Sequence, residues 1–583
     1  MSEIQRLQQR LREMYGASSD AWAPRLAHLV ASMDPTPVAR GSLWDQRDAV
    51  LIAYGDHVLA PGERPLRALR DLLVEQDLAS LFSTIHLLPF FPASSDDGFS
   101  VIDYRAVDPA LGDWDDIQSL GQHCHLMFDL VLNHVSQHSH WFQGYLAGHE
   151  PYVNYFHEID ADADVSLVAR PRSLPLLTPF ATSRGTRHLW TTFSGDQIDL
   201  NFDQPAVLLE LAEVLLEYVR RGARIIRLDA VAYVGKQLGT SCIHLPQAHQ
   251  AVKFFRDFLQ VVDPGVLLLT ETNVPHAENI SYFGQGDEAH MVYQFSLPPL
   301  LLDAWLNEDA GPLVRWLADL QPAPPGTTFF NFSASHDGIG VRPLEGLVSG
   351  ERFSRLIRAV GERGGMVSTR RMPDGSDAPY ELNITYFDAI SDPSNADNSA
   401  NVRRFLATQA LMLALRGIPG IYFSSLFGAK NDLEGVHQSG QVRRINRKKF
   451  DRDELTQTLS HADSHQAIVL AGYRRLLAIR RQQPAFHPDG AQHVLADVPP
   501  WLVALLRTSP DGQHRVLVLV NVSGQPQTWR LPSAIRTGMM TDLLTGRRWN
   551  DQIAERLGPY ETLWLHATNE GESDPWPTST NTA

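Results

Sequence analysis

Eight short apolar runs of β type recur along the chain with helical stretches between them, and this alternation constrains the fold more than any other feature. They are VLIAY (Val50–Tyr54), TIHLLPF (Thr84–Phe90), HLMFDLVLN (His125–Asn133) and ARIIRLD (Ala223–Asp229), then VLLLTE (Val266–Glu271), MVYQF (Met291–Phe295), TTFFNFSASH (Thr327–His336) and PGIYFS (Pro419–Ser424). Strands that are apolar along their whole length are covered on both faces, and helices between them require parallel crossovers. Eight such units predict an α/β chain closed as a (β/α)8 TIM barrel.

Two intervals, 137–202 and 338–386, far exceed the roughly 2 to 6 residues usual between a barrel strand and its helix, so they read as inserted subdomains. Beyond about Gln483 the pattern changes to alternating strands, WLVALLRT and RVLVLVNVS, joined by a Pro510-Asp511-Gly512 turn, which predicts a C-terminal antiparallel β domain. The expected organisation is a helical extension over 1–45, barrel segments 46–136, 203–337 and 387–484 around the insertions, the β domain over 485–568, and a disordered tail over 569–583.

A length of 583 residues allows a barrel-sized core plus a companion domain, and 43% hydrophobic with 20% charged residues is an ordinary globular balance. No run approaches the roughly 18 apolar residues of a membrane span. The first residues, MSEIQRLQQRLREMYG, read as a polar amphipathic helix without an export signal, and the two cysteines, Cys124 and Cys242, form no spaced framework. Both features predict a cytoplasmic protein with reduced thiols. A net charge of -17 argues against nucleic acid partners, which demand a dominant basic face. The oligomeric state is not readable.

In a barrel of this kind, polar residues that close an apolar strand converge on one face. Four strands end this way: FDLVLNH with Asp129, Asn133 and His134; IIRLDAVAY with Arg227 and Asp229; LLLTETN with Glu271; FSASHDGIG with His336 and Asp337. Glycosidic cleavage passes through an oxocarbenium-like state served by one carboxylate beneath the anomeric carbon and one protonated carboxyl at the leaving oxygen. Arg227, two residues before Asp229, projects to the same side of the strand and would hold that aspartate ionised. Each motif alone reads more simply as a helix cap or a loop residue. Four in order on a barrel pattern point to catalysis.

FDLVLNH, RLDAV, TETN and SHDG resemble the four signature regions of the α-amylase superfamily. By that resemblance Asp229 matches the nucleophile, Glu271 the acid/base and Asp337 the transition-state stabiliser, with Arg227, His134 and His336 as companions of the glucose site. SDDGFSVIDY, RPRSLPLLTPF, RHLWTTFSGDQIDL, QFSLPPLLL and INRKK are similar to segments of the sucrose phosphorylase branch. The resemblance implies donor-glucose contacts from Asp96, Phe99, Phe193, Gln197 and Arg443, with Phe99 or Phe193 as the aromatic platform. It also implies that inorganic phosphate is a substrate, met by Arg172 in ARPRS.

The second insertion offers Arg370 and Arg371 in STRRMPDG, with Arg342 after the HDGIG turn, either as phosphate or acceptor contacts or as a solvated loop. SHDGIGVRPLEGL and PYELNITYFDA look like the acceptor loops of bacterial glucosylglycerate phosphorylases, which implies glycerate as acceptor. Sucrose, glucosylglycerol and sucrose 6'-phosphate phosphorylase activities are the alternatives, and a catalytically inactive amylase-like binding subunit is the remote one. Glu381 stands where sucrose phosphorylases carry a glutamine. There it would repel phosphate, bind an acceptor hydroxyl or order an arginine; Tyr380 beside it is an acceptor contact or loop packing. His123, Cys124 and His125, with His138 and His140, lack the further ligand pair of a tetrahedral metal site, and no phosphate-binding glycine loop indicates a nucleotide cofactor.

Overall fold

The computed structural model describes residues 3–33, 42–372, 374–395, 398–533, 538–550 and 553–567. The eight apolar runs form eight parallel strands: β1 Val50–Ala53, β2 Thr84–Leu87, β3 His125–Val131, β4 Ala223–Asp229, β5 Leu267–Thr270, β6 Met291–Tyr293, β7 Thr328–Phe332 and β8 Ile418–Tyr422. They pair in sequence order, and β8 returns to β1 through Leu51 opposite Ile421, closing the cylinder. Several runs extend past their ladders. β7 stops at Phe332 although the run continues to His336, because the last residues turn outward to form the mouth.

Three of the surrounding helices, Pro65–Glu75, Pro205–Arg220 and Pro246–Val262, have proline in their first turn, where no backbone N–H is needed. The expected N-terminal helical segment contains helices Glu3–Tyr15 and Ala23–Ala31, which bury Leu7, Leu11, Leu26 and Leu29. Arg10 anchors the first of them to buried Asp257 on helix Pro246–Val262 at 2.9 Å. The segment expected as a tail, 569–583, lies outside the described residues. Among those described, no helix is long and apolar enough to cross a membrane.

Within 137–202 lie a helix, His140–Ala147, and a hairpin of Leu177–Thr182 with Gly185–Trp190. Residues 338–386 are more ordered than a loop: Ile339–Gly340, Asp377–Asn383 and Met366–Arg371 form a three-stranded sheet behind helix Gly350–Glu362. An isolated backbone bridge joins Arg170 to Arg371, so the two insertions touch over the mouth. Arg352 ties the second insertion to the barrel, with Nε 3.0 Å from both oxygens of buried Asp303 and Nη1 2.7 Å from Asp309. Arg352→Ala should cost about 3 kcal/mol or more, because it strands a buried carboxylate. Equilibrium urea unfolding would read this, and a loss below about 1 kcal/mol would contradict it.

At the C-terminus Leu502–Thr508 and Arg515–Asn521 pair antiparallel, Leu505 opposite Val518, at the centre of a six-stranded sheet. In the turn between them Gly512 has φ +74°, and the Asp511 carboxylate accepts from the Gln513 N–H at 3.0 Å. Arg507 of this sheet is fully buried and gives its guanidinium to the carbonyls of Ala414, at the end of a barrel helix, and His487, at 2.6 and 2.7 Å. Arg480 does the same for Asp48 and Leu413 from the barrel side.

Candidate active site

The acids of the mouth are placed by strand periodicity. Asp129 on β3 lies opposite Arg227 on β4, and Asp229 follows Arg227 on the same side of its strand. One guanidinium nitrogen of Arg227 therefore bonds both carboxylates, Asp229 at 2.7 Å and Asp129 more closely still. His86 on β2 donates to the other oxygen of Asp129 at 2.7 Å. Burial alone would raise the Asp129 carboxyl, but His86 and Arg227 bring it down to about 2. Asp129 is thus a fixed anion behind the site, missing from the expected contacts although FDLVLNH contains it.

Glu271 ends β5 with a different environment. Its side chain accepts one bond, from the N–H of Ala230 at 3.3 Å. Ala230 takes φ +53°, a left-handed conformation unusual for alanine, and this turns its N–H toward the glutamate. Burial raises the Glu271 carboxyl, aided by the nearby Asp337 charge and opposed by Arg227. Burial and the other acids of the mouth also raise Asp229, against the pull of Arg227. Arg227 bonds Asp229 directly, whereas the Glu271 side chain accepts only the Ala230 N–H among the described residues, so the geometry favours the ionised form at Asp229 and the protonated form at Glu271.

Asp337 follows β7 on the outward turn. Burial opposes its charge, but the guanidiniums of Arg443, at 2.7 Å, and Arg447 hold it well below the usual carboxylate range. Burial pushes His336 and His134 down, leaving both imidazoles neutral. His336 stacks on Phe99 with centroids 4.9 Å apart and 6° between planes. His134 donates to the Phe99 carbonyl at 3.1 Å. The loop carrying Asp96 is tightly wound: Asp96 and Asp97 have φ +54° and +48°, and a Cβ on Gly98 would stand 2.5 Å from the Pro89 carbonyl oxygen. Gln197 reaches Asp96 at 3.4 Å.

These groups surround a cavity of roughly 700 Å³, open to solvent. Thirteen of the expected residues line it: Asp96, Phe99, His134, Arg172, Phe193, Gln197, Asp229, Glu271, His336, Asp337, Tyr380, Glu381 and Arg443. Arg227 acts from behind Asp229. Arg342 and Arg370 do not line this cavity; they face a neighbouring chamber and pair with Glu278 and Glu345 at 3.3 and 2.7 Å. Arg370 sits on the outer strand of the second insertion's sheet and Arg342 in the turn after Ile339–Gly340, which sets both across the wall of Pro171, Tyr233 and Tyr380 from the catalytic acids.

Glu381 does not repel an anion here. It is buried and takes Arg443 at 2.9 and 3.1 Å, and it also accepts the Gly338 N–H at 3.1 Å, so its charge is spent on ordering that arginine. Burial pushes the Tyr380 phenol up to about 12, keeping it a hydrogen-bond donor. Arg172, by contrast, makes no ion pair or hydrogen bond among the described residues. Sequence reasoning missed Tyr233 and Asn273 in the wall, both inside the motifs RLDAVAY and TETN. It also missed Arg447, which donates to the His336 carbonyl at 2.9 Å and bonds Asp97 at 2.5 Å.

The arrangement offers a carboxylate bonded to an arginine, a second carboxyl raised by burial and an unpaired guanidinium around one cavity, which suits a double displacement with an anionic second reactant. Comparison with known proteins agrees. Residues 78–309 match the family model described as alpha amylase, catalytic domain. A glucosylglycerate phosphorylase of Spirochaeta thermophila is 45% identical, over 97% of this chain and 99% of its own. A glucosylglycerate phosphorylase of Escherichia coli is 44% identical over 96% of this chain and 100% of its own. Among solved structures, the sucrose 6F-phosphate phosphorylase of Thermoanaerobacter thermosaccharolyticum superposes with a TM-score of 0.70 at 26% identity, covering 82% of this chain and 94% of that one.

Proposed function

We propose, because this chain belongs to the glucosylglycerate phosphorylase family of the α-amylase superfamily, that it reversibly converts 2-O-α-glucosylglycerate and phosphate into α-D-glucose 1-phosphate and D-glycerate. Asp229, held charged by Arg227, attacks the anomeric carbon while Glu271 gives its proton to the departing 2-oxygen of glycerate. Phosphate then enters and displaces Asp229, and Glu271 receives the proton of that incoming oxygen. Two inversions give net retention. Asp337, charged beside Arg443, faces the oxocarbenium-like sugar without bonding to it.

The observation that carries the phosphate step is Arg172, a guanidinium in the wall of the glucose cavity with no carboxylate partner among the described residues. Glycerate's carboxylate and the phosphate that replaces it both meet this cation in turn. No organic cofactor enters the scheme, and a cytoplasmic setting suits the two free cysteines and the phosphate co-substrate. The gathering of Asp229, Glu271 and Asp337 in one cavity argues against an inactive binding subunit.

Incubating the enzyme with glucosylglycerate, with and without phosphate, tests this reading: sugar phosphate should form only with phosphate, whereas equal glucose release in both would mean a hydrolase. Running the reverse reaction with glycerate, fructose, glycerol and fructose 6-phosphate ranks the acceptors, and glycerate should lead. Arg172→Ala should raise the KM for phosphate on the order of 10-fold to 100-fold, the worth of one charge-assisted bidentate contact, while glucosyl-enzyme forms at a near-normal rate. An unchanged phosphate KM would remove Arg172 from this role.

A further inference from the structure

Beside the glucose cavity lies a second chamber of about 1060 Å³, open to solvent, and the two share Pro171, Tyr233 and Tyr380 as a common wall. Arg170 comes from the first insertion and Arg370 and Arg371 from the second, where the backbone bridge joins them; Arg342 completes the set. No aspartate or glutamate is among the chamber's described lining residues, in a chain whose net charge is -17. The acids that pair with Arg342, Arg370 and Arg371 are Glu278, Glu345 and Asp377, whose side chains are 40%, 50% and 42% exposed. They neutralise from the solvent side. Arg170 has no acid partner among the described residues and gives one guanidinium nitrogen to the Leu174 carbonyl.

A second observation points to a ligand. The Nε atoms of both Arg342 and Arg370 are buried and lack any hydrogen-bond acceptor. A buried guanidinium N–H without a partner costs free energy that an entering anion would recover. Burial and the charge of Arg371 also lower the Arg170 pKa, a repulsion that an anion between them relieves. The carboxylates that Arg227 and Arg443 bond are, in contrast, buried or nearly so within the glucose site itself: Asp129, Asp229, Asp337 and Glu381. Four guanidiniums exceed what one glycerate carboxylate requires. A phosphate dianion matches them in charge and in its number of acceptor oxygens.

We propose that this chamber binds a phosphate group carried on the acceptor, so that the enzyme also transfers glucose to and from a phosphorylated glycerate. This rests on the reading that a glycerate-type acceptor leaves the glucose past Tyr380. In the synthetic direction Glu271 takes the proton of the acceptor's free hydroxyl, that oxygen bonds to the anomeric carbon, and the bond from that carbon to Asp229 breaks, returning its electron pair to the carboxylate. The acceptor's phosphate ester stays intact and serves only as the handle.

The test supplies α-glucose 1-phosphate with D-glycerate or with 3-phospho-D-glycerate and follows the glucosylated product by mass spectrometry. Wild type should glucosylate both, and in R342A/R370A the ratio of kcat/KM for phosphoglycerate over glycerate should fall at least about tenfold, one lost charge-assisted contact. The milder Arg370→Gln should lower it in the same direction. Equilibrium titration with inorganic phosphate separates the other source of the same chemistry: loss of one of two bound phosphates in the double variant, with phosphoglycerate unused, would mean that the chamber takes free phosphate and would overturn the acceptor proposal. An unchanged ratio also overturns it. Phosphoglycerate used in an arginine-dependent way without glycerate use would sink the glycerate reading and leave the chamber standing.

Discussion

Asp229→Asn is expected to lower turnover of glucosylglycerate by about 10,000-fold or more, the scale seen when a covalent nucleophile is removed from a working site. The amide keeps the shape of the carboxylate but cannot form the glucosyl ester. Arg227 retains Asp129 and His86 still supports Asp129, so the buried cation is not left alone. Removing one negative charge also relieves the repulsion of Asp229 with the charged Asp129 and Asp337. The fold should therefore survive with an unchanged or slightly higher Tm. Initial rates of glucose 1-phosphate release, read beside a melting curve, check this. A variant that is folded and turns over within tenfold of wild type would put the nucleophile elsewhere.

Glu271→Gln should separate the two half-reactions. With glucosylglycerate, whose alkoxide is a poor leaving group, the rate should fall about 100-fold to 10,000-fold, the usual value of a general acid. With α-glucosyl fluoride the leaving group needs no proton, and glucosylation of Asp229 should stay within about tenfold of wild type. The pH dependence has a definite sign. Burial raises the Glu271 carboxyl, so the protonated form that donates persists to higher pH than in a free glutamic acid and is lost as pH rises through that raised value. Wild type should show an alkaline limb in kcat with glucosylglycerate. The glutamine variant assayed with the fluoride should lack it, and a persistent alkaline limb would assign that proton to another group.

The barrel was legible because the eight strands are short, mostly apolar runs buried along nearly their whole length, and runs of that length separated by helical stretches suit strands covered on both faces. The three acids were legible because each closes such a strand or stands within a few residues of its end. What escaped the sequence were relations between distant segments. Nothing in RLD alone says that Arg227 must also neutralise Asp129 on the neighbouring strand, a matter of register between β3 and β4. The expectation for Glu381 left repulsion open, since only the fold brings Arg443 across 62 positions to meet it. Arg342 and Arg370 were expected with the phosphate-binding group because a cationic loop carries no signal of which side of a wall it will face.

Arg507 is buried in the C-terminal sheet with its guanidinium seated on the barrel carbonyl of Ala414 and the junction carbonyl of His487, and no carboxylate meets it among the described residues. A cut before this sheet would leave those carbonyls facing water on a surface shaped for a cation, and the severed sheet would carry an uncompensated charge in its own interior. The described part of the C-terminal sheet is thus a structural keystone and not a detachable accessory.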